Sequence, residues 1–174
     1  TVLATQAELS GSQRTGLSRV RLVMSAGAPV PRSLLHELGP LLPQAQAHTP
    51  YGMTEVLPVA DADLTELDKA GDGDGVCVGR PVPGALVAIS ALNPQGNPVG
   101  ELDDTPGVVG EIVVAAPWVK DSYDRLWATQ DRSARDGGEW HRTGDVGFFD
   151  AEGRLWVAGR LAHVITTAAG PIAP

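Results

Sequence analysis

Five consecutive residues, Tyr51-Gly52-Met53-Thr54-Glu55, combine three side chains that could act together on a nucleotide. The aromatic ring of Tyr51 could stack on a base, and the Thr54 hydroxyl could donate to a phosphate oxygen. The Glu55 carboxylate is a hard oxygen ligand of the kind that Mg²⁺ prefers. This spacing predicts a site for a nucleotide and a metal ion. Taken separately, packing of Tyr51 and Thr54 and a solvated charge at Glu55 explain the same residues equally well.

Three further stretches add groups suited to the same ligand. The turn Ala26-Gly27-Ala28 carries no bulky side chain, so its backbone could approach a flat ring closely. In Arg142-Thr143-Gly144-Asp145, the Asp145 carboxylate could accept hydrogen bonds from two neighbouring ribose hydroxyls. Arg160, directly after Gly159, could donate to a ribose or a phosphate. The structural alternatives are an ordinary strand–helix turn, an Asx turn and a surface arginine.

The amino-terminal part of the chain alternates strand, helix and strand, which predicts an α/β unit over residues 1–75. A short apolar strand covers Val20–Met24, and Pro31 stands at the first position of a helix that runs to Leu38. A second strand is predicted over residues 44–48. Open α/β sheets bind ligands at the carboxyl ends of their strands. The Ala26–Ala28 turn and the Tyr51 stretch both follow a predicted strand end.

The rest of the chain has the character of β structure. Residues 61–75 are acidic and rich in turn residues, which predicts an exposed connector. Apolar runs bounded by Gly, Pro and Asn follow, and Gly153 marks the turn of a predicted hairpin over residues 149–157. We therefore predict an α/β plus β fold, whose second part, residues 76–160, is a small barrel or sandwich. The other predicted strands cover residues 85–89, 108–114 and 146–149.

Composition excludes several classes of protein. The chain has 174 residues and a net charge of −8, and its 13 cationic residues are scattered, so nucleic acid is an unfavourable partner. A single cysteine, Cys77, cannot form an internal disulfide and is predicted to be a small buried residue in a strand. No apolar run reaches the roughly 18–20 residues needed to span a bilayer. These features favour a cytoplasmic protein without a membrane span.

Taken together and in this order, the motifs resemble the adenylate-forming superfamily, which includes acyl-CoA synthetases and the adenylation domains of peptide synthetases. Tyr51–Glu55, followed about ninety residues later by Arg142–Asp145 and then by Gly159-Arg160, carries the resemblance. The resemblance implies the carboxy-terminal third of the large domain: a partial α/β subdomain and a β-barrel-like subdomain. Residues 161–174 would then be a hinge and the start of a further domain. The superfamily's Lys-bearing phosphate loop and the domain with its catalytic Lys are not found in this sequence, so the chain by itself is expected to be inactive.

The resemblance also implies a role for each candidate residue, with ATP or AMP and Mg²⁺ as cofactors. Tyr51 would stack on adenine, against a pocket lined by the backbone of Ala26, Gly27 and Ala28. Thr54 would hold the α-phosphate and Glu55 the Mg²⁺. Asp145 would bind the ribose hydroxyls with help from Arg160. Members of the superfamily use this arrangement to join a carboxylic acid to AMP with release of pyrophosphate.

The stretch from His48 to Val59 is similar to the motif context of the β-lactone synthetases of bacterial olefin biosynthesis. Those enzymes adenylate a 2-alkyl-3-hydroxy fatty acid, and its 3-hydroxyl then displaces AMP without CoA. The resemblance implies such a fatty acid as substrate, and olefin-pathway enzymes as partners. His48 could orient or deprotonate the hydroxyl, although a structural histidine at a strand end is the simpler interpretation.

Two other functions stay open. A fatty acyl-CoA synthetase or acyl-AMP ligase would use the same residues, but the hinge region departs from the pattern of CoA ligases. Ala162 replaces the usual acidic or Lys residue, and Thr166–Gly170 replaces a Ser-Gly-Gly stretch. A degenerate nucleotide-binding or interaction module without catalysis is the third possibility.

Overall fold

A computed structural model describes residues 9–135 and 139–174. The predicted α/β unit over 1–75 therefore includes eight residues, 1–8, that lie outside the described part. The helices in the described residues are α1 (Gly11–Leu17), α2 (Arg32–Leu38), α3 (Leu64–Ala70) and α4 (Trp127–Ser133), with a 3₁₀ turn at Leu161–His163. The strands are β1 (Leu22–Met24), β2 (Gln46–His48), β3 (Tyr51–Met53), β4 (Val56–Asp61), β5 (Val76–Pro81), β6 (Leu86–Leu92), β7 (Pro98–Asp103), β8 (Gly110–Ala115), β9 (Ala134–Arg135), β10 (Trp140–Phe149), β11 (Leu155–Arg160), β12 (Ile165–Thr167) and β13 (Gly170–Ile172).

The strand–helix–strand prediction near the amino terminus is confirmed. Strands β1 and β2 pair in parallel, with Met24 opposite His48 at their carboxyl ends, and α2 lies between them in the chain. Pro31 is the N-cap of α2 and not its first helical residue, a shift of one position. The parallel pairing puts the Ala26–Ala28 loop and His48 at the same edge of this two-stranded sheet.

The main sheet is antiparallel and has the order β3-β4-β5-β11-β10-β8-β6-β7, with β9 beside β10. Because β4 pairs with β5, the sheet continues across residues 75 and 76, where the sequence predicts a change of character. The expected barrel-like closure is wrong: β3 and β7 end the sheet, and no pairing joins them within the described residues. A closed barrel needs hydrogen bonds between its first and last strands.

The predicted exposed connector over residues 61–75 is also wrong, because it contains helix α3. Asp63 caps this helix by accepting from the Glu66 backbone N–H at 2.7 Å. Leu67 turns inward, where it belongs to a buried cluster that joins α2 and α3 to the sheet. The other buried members of this cluster are Leu35, Ala62, Cys77 and Trp156. The prediction of a buried Cys77 in a strand is thus confirmed.

The predicted hairpin over residues 149–157 is confirmed as the connection between β10 and β11, with Gly153 at φ +74° in its turn. A second buried cluster underlies the main sheet and is built from aliphatic side chains of β4, β5, β6, β8 and β11, together with Phe149. This core fixes the strands whose ends carry the candidate residues. In the part of the chain that is described, every helix is too short to cross a membrane.

Candidate nucleotide site

The first motif forms a tight β-hairpin. Tyr51 and Met53 lie in β3, Thr54 and Glu55 form the turn, and Val56 opens β4 opposite Met53. Gly52 is required by close packing, because a Cβ atom there would come within 2.6 Å of the Val56 carbonyl oxygen. The hairpin exposes Thr54 and keeps Glu55 half-buried. This hairpin is not among the elements that the sequence predicts.

Three of the predicted residues meet directly, although they come from distant parts of the chain. The Tyr51 hydroxyl donates to Oδ2 of Asp145 at 2.7 Å, and Nη1 of Arg160 donates to Oδ1 at 2.6 Å. Burial, followed by the nearby Asp145 charge, raises the pKa of Tyr51 far above its ordinary value, so the phenol stays protonated and donates. The hydrogen bond to Asp145 raises the pKa of Arg160 in turn.

A buried carboxylate shapes the backbone that carries Asp145. Glu111 is 2% exposed and pairs with Nη2 of Arg142 at 2.8 Å. Its other oxygen accepts from the Gly144 N–H at 3.2 Å, and Gly144 has a φ of +72°, which glycine adopts without strain. The Thr143 hydroxyl accepts from the Asp145 N–H at 3.0 Å. Together these bonds hold an irregularity in β10 that presents the Asp145 carboxylate.

Glu55 is held by a segment that the sequence analysis did not single out. The Tyr123 hydroxyl donates to its Oε1 at 2.6 Å, and the Lys120 N–H donates to its carbonyl at 2.8 Å. The Tyr123 hydrogen bond lowers the pKa of Glu55, while burial and Glu55 raise the pKa of Tyr123 to about 12. The Lys120 ammonium lies 4.1 Å from the centre of the Tyr123 ring. No motif or spacing marks these two residues, so only the structure finds them.

Glu55 and Arg160 line one cleft of about 460 Å³, a volume within the range of small-molecule sites. Its wall also includes Tyr123, and His141, whose pKa is lowered by burial and by Lys120. Two further guanidinium groups, from Arg132 and Arg142, reach the cleft. A cleft that combines three arginines with the carboxylates of Glu55 and Glu111 suits an anionic ligand accompanied by a cation.

The remaining predicted residues lie at a different edge. Ala26, Gly27 and Ala28 are exposed in the loop after β1, with Gly27 at φ +94° and open space around it. His48 ends β2, and its carbonyl accepts from the Ser25 N–H at 3.0 Å. The His48 ring contacts Asp61 and is not part of the cleft wall. The structure thus brings together Tyr51, Asp145 and Arg160, and places the Ala26–Ala28 loop beside His48.

The donor groups are compatible with Mg²⁺ only when a nucleotide supplies most of the ligands. Within residues 9–135 and 139–174, no cluster of three or more His, Cys, Asp or Glu side chains is arranged to hold a metal ion. Mg²⁺ in nucleotide sites is commonly bound through one or two carboxylates together with substrate phosphates and water. Glu55 contributes one half-buried carboxylate to the cleft wall and fits that pattern.

The main antiparallel sheet and the Tyr51–Asp145–Arg160 cluster define a candidate nucleotide-binding domain. A family model described as "AMP-binding enzyme" matches residues 1–123, and the chain belongs to this family.

Two curated relatives carry the same name. The chain is 45% identical over 172 residues to an olefin β-lactone synthetase of Xanthomonas campestris pv. campestris and 42% identical over 172 residues to that of Stenotrophomonas maltophilia. Each match covers 90% of this chain, which spans 31% of the relative's length.

Among solved structures, the chain resembles the O-succinylbenzoate coenzyme A synthetase of Bacillus subtilis in complex with ATP and magnesium ion. The TM-score is 0.67 at 25% identity, and the match covers 98% of this chain and 34% of the other. That relative binds the pair of ligands that the sequence predicts here.

Proposed function

We propose that the protein containing this chain is an ATP-dependent ligase that activates a 2-alkyl-3-hydroxy fatty acid as acyl-AMP and closes it to a β-lactone. The observation that carries the proposal is the 45% identity to an olefin β-lactone synthetase across 90% of the chain. The chain spans about a third of that relative, so the activity of the whole protein belongs to the proposal. The same proposal includes other enzymes of olefin biosynthesis as partners, and a cytoplasmic location.

The nucleotide half of the reaction would use the residues of the main sheet. Asp145 would accept from the ribose hydroxyls, while Arg160 donates to its Oδ1 and so orients the carboxylate. Tyr51 would present its ring to adenine, and the Ala26–Ala28 backbone would line the far side of the base. In the structure the Tyr51 hydroxyl donates to Oδ2 of Asp145, so a ribose hydroxyl would share that acceptor or replace the tyrosine as its donor.

Adenylation would proceed by in-line displacement at the α-phosphorus. A carboxylate oxygen of the fatty acid forms the new P–O bond, and pyrophosphate leaves with the electrons of the broken bond. Thr54, exposed at the hairpin turn, would donate to the α-phosphate, and Glu55 would hold the Mg²⁺. The metal ion, when bound, would neutralise phosphate charge. Such chemistry depends mainly on positioning and electrostatics, which a rigid hairpin held by Tyr123 and Lys120 supports.

Lactone closure would follow without CoA. The 3-hydroxyl oxygen attacks the acyl carbon, a C–O bond forms within the four-membered ring, and AMP leaves. His48 would orient that hydroxyl and accept its proton. The acyl chain itself would remain bound through the second step, so no third substrate needs to enter.

A fatty acyl-CoA synthetase or acyl-AMP ligase is the second candidate, favoured by the structural likeness to a coenzyme A synthetase. Residues 161–174 weigh against it, because their sequence departs from the pattern of CoA ligases at Ala162, in the 3₁₀ turn, and at Thr166–Gly170, which spans the turn from β12 to β13. Both candidates share ATP, Mg²⁺ and AMP and differ only in the acceptor of the acyl group.

One experiment separates them. The full-length protein is supplied with ATP, Mg²⁺ and a 2-alkyl-3-hydroxy fatty acid without CoA, and the organic product is followed by NMR. We expect a β-lactone, and none from the matched acid that lacks the 3-hydroxyl. An acyl-adenylate that is released only on addition of CoA would favour the second candidate. Absence of AMP under both conditions would contradict both and leave a binding module.

A further inference from the structure

A carboxylate fixes the protonation pattern of the His48 ring. Nδ1 of His48 lies 2.6 Å from Oδ2 of Asp61, and both side chains are largely buried, at 22% and 27% exposure. An ionised carboxylate can only accept, so the proton of this hydrogen bond belongs to Nδ1. In the neutral ring the lone pair is therefore on Nε2. This is the arrangement in which a carboxylate orients an imidazole as a base.

The position of Asp61 is itself tightly determined. It ends β4 opposite Arg80 in β5, and Gly79 packs directly on its backbone. A Cβ atom at Gly79 would come within 1.9 Å of the Asp61 carbonyl oxygen, so nothing larger than glycine fits there. Such packing fixes the backbone from which the carboxylate reaches His48.

One carboxylate oxygen of Asp61 is buried in an energetically unfavourable state. Its Oδ1 is buried and has no hydrogen-bond partner among the described residues. Leaving a buried acceptor unpaired is unfavourable, and such groups in folded proteins commonly mark function.

His48 lies beside the loop that is proposed to line the base pocket. It is the last residue of β2, and its carbonyl accepts from Ser25, the residue before the Ala26–Ala28 turn. Tyr51 follows three residues later in the chain. His48 therefore lies at the carboxyl edge that also carries the Ala26–Ala28 loop.

We propose that Asp61 is a positioning residue that holds His48 with Nε2 as the proton acceptor during lactone closure. The inference rests on the proposed function. In this step the 3-hydroxyl oxygen forms a bond to the acyl carbon while its proton passes to Nε2 of His48. The bond between that carbon and the AMP oxygen breaks, and AMP leaves with the electron pair. The Asp61 carboxyl group faces the imidazolium that results.

A second histidine–carboxylate pair supplies the control. Nε2 of His36 lies 2.9 Å from Oδ1 of Asp68, and these side chains are 56% and 44% exposed. The pair joins α2 to α3 on the surface and touches none of the proposed site residues. Asp68→Asn therefore makes the same chemical change at a histidine partner without reaching the site.

The test uses the full-length protein and measures the two half-reactions separately, as pyrophosphate release and as β-lactone formation. In Asp61→Asn, the amide can donate to Nδ1 and so favour the opposite tautomer of His48. We expect lactone formation to fall at least tenfold, since general-base catalysis contributes about 10²–10⁴-fold. Pyrophosphate release in a single turnover stays within about twofold, acyl-adenylate accumulates, and Asp61→Glu restores part of the closure rate. Asp68→Asn leaves both half-reactions unchanged.

Nitrogen NMR of the histidine rings gives a readout that is independent of turnover. We expect the Nδ1–H tautomer for His48 in the wild-type protein and a shift toward Nε2–H in Asp61→Asn. An Nε2–H tautomer in the wild type would overturn the proposal even if the variant does not fold. Equal loss of both half-reactions in a folded variant, or unchanged lactone formation, would also overturn it. A wild-type protein that makes no lactone contradicts the proposed function instead.

Discussion

Asp145 accepts one hydrogen bond on each carboxylate oxygen, from Tyr51 and from Arg160, and is itself only 7% exposed. If Asp145 also binds the ribose, Asp145→Ala deprives the ribose hydroxyls of a charged hydrogen-bond acceptor. Hydrogen bonds to charged groups contribute about 1.5–3 kcal/mol, so the Kd for AMP should rise about 10- to 150-fold. Isothermal titration of the full-length protein with AMP measures the change.

The matched control for this substitution is Asp124→Ala, which removes a carboxylate that is 92% exposed. It should leave AMP affinity unchanged. The Arg160 side chain left behind by Asp145→Ala is 60% exposed and can be solvated, so the variant is expected to fold. Unchanged AMP affinity in the folded variant would remove Asp145 from the ribose role.

Tyr123→Phe tests the hydrogen bond that holds Glu55. The Tyr123 hydroxyl lowers the pKa of Glu55 below its ordinary 4.5, so this bond stabilises the folded state above that pH. The stabilisation is lost as the pH falls through the lowered pKa, because protonated Glu55 no longer needs the donor. At pH 7 the variant should unfold more easily by about 1 kcal/mol. Urea unfolding of both proteins at pH 7 and in steps below pH 4.5 measures the difference.

The pH dependence distinguishes the hydrogen bond from packing. The Tyr123 ring also lies against the Lys120 ammonium, and phenylalanine keeps that contact. A difference in unfolding free energy that persists unchanged at low pH would mean that the hydroxyl acts by filling space. A difference that vanishes there assigns it to the ionised carboxylate.

At the scale of elements, the β3–β4 hairpin depends on Gly52. A Cβ atom there would lie 2.6 Å from the Val56 carbonyl oxygen and 2.7 Å from Cδ1 of Leu57. The backbone cannot move aside as a flexible side chain can. Gly52→Ala should therefore destabilise the protein by about 1–3 kcal/mol. It should also weaken AMP binding, since Thr54 and Glu55 form the turn.

Gly16→Ala is the control for the hairpin substitution. Gly16 lies in helix α1, and a Cβ atom at this position would have open space for 4 Å around it. Alanine should therefore leave the stability of the protein unchanged or raise it by about 0.5–1 kcal/mol. Thermal unfolding of the two variants gives the comparison. Equal stability of Gly52→Ala and the wild type would show that the hairpin turn can shift to admit the methyl group.

The elements that sequence patterns predict best are those whose boundaries or turns are marked by Gly or Pro. The β1–α2–β2 unit has Gly and Pro at its boundaries, and the β10–β11 hairpin has Gly153 in its turn. The sequence does not predict helix α3, because its three inward-facing residues, Leu64, Leu67 and Ala70, are outweighed by acidic neighbours. The Thr54-Glu55 turn lacks the Gly or Asn that usually marks a two-residue hairpin.

The residues of the candidate site also divide into those that the sequence predicts and those that it does not. Tyr51, Asp145 and Arg160 were predicted because their residue types and order carry a motif, and the structure joins them. Glu111 and Tyr123 were not, since a buried ion pair and a single supporting tyrosine leave no periodic signal in the sequence. Residues that orient a functional group are defined by tertiary contacts, which a single sequence does not display.

At the scale of the whole molecule, curvature of the sheet creates the site. Three strands lie between β3 and β10 in the sheet order, a separation of about 19 Å in a flat sheet with strands about 4.8 Å apart. The Tyr51 hydroxyl nevertheless lies 2.7 Å from Asp145. The sheet therefore curls strongly between these strands, although it does not close. The contact between residues 94 apart in sequence is a measure of that curl.

A double-mutant cycle on Tyr51 and Asp145 tests whether this long-range contact stabilises the curled sheet. Tyr51→Phe removes only the hydroxyl, and Asp145→Ala removes its acceptor. If the hydrogen bond forms in solution, the two changes in unfolding free energy should not add, with a coupling of about 1 kcal/mol or more. Urea unfolding of the wild type, both single variants and the double variant, without nucleotide, gives the coupling.

The cycle of Tyr51→Phe with Asp124→Ala is the reference, because Asp124 is exposed and makes no contact with Tyr51. Those two effects should add within about 0.5 kcal/mol. Adding AMP should then reduce the Tyr51–Asp145 coupling, since ribose hydroxyls compete for the same carboxylate oxygen. Additive effects in both cycles would mean that the strand ends stand apart in solution and that the core beneath the sheet, rather than this contact, sets its curl.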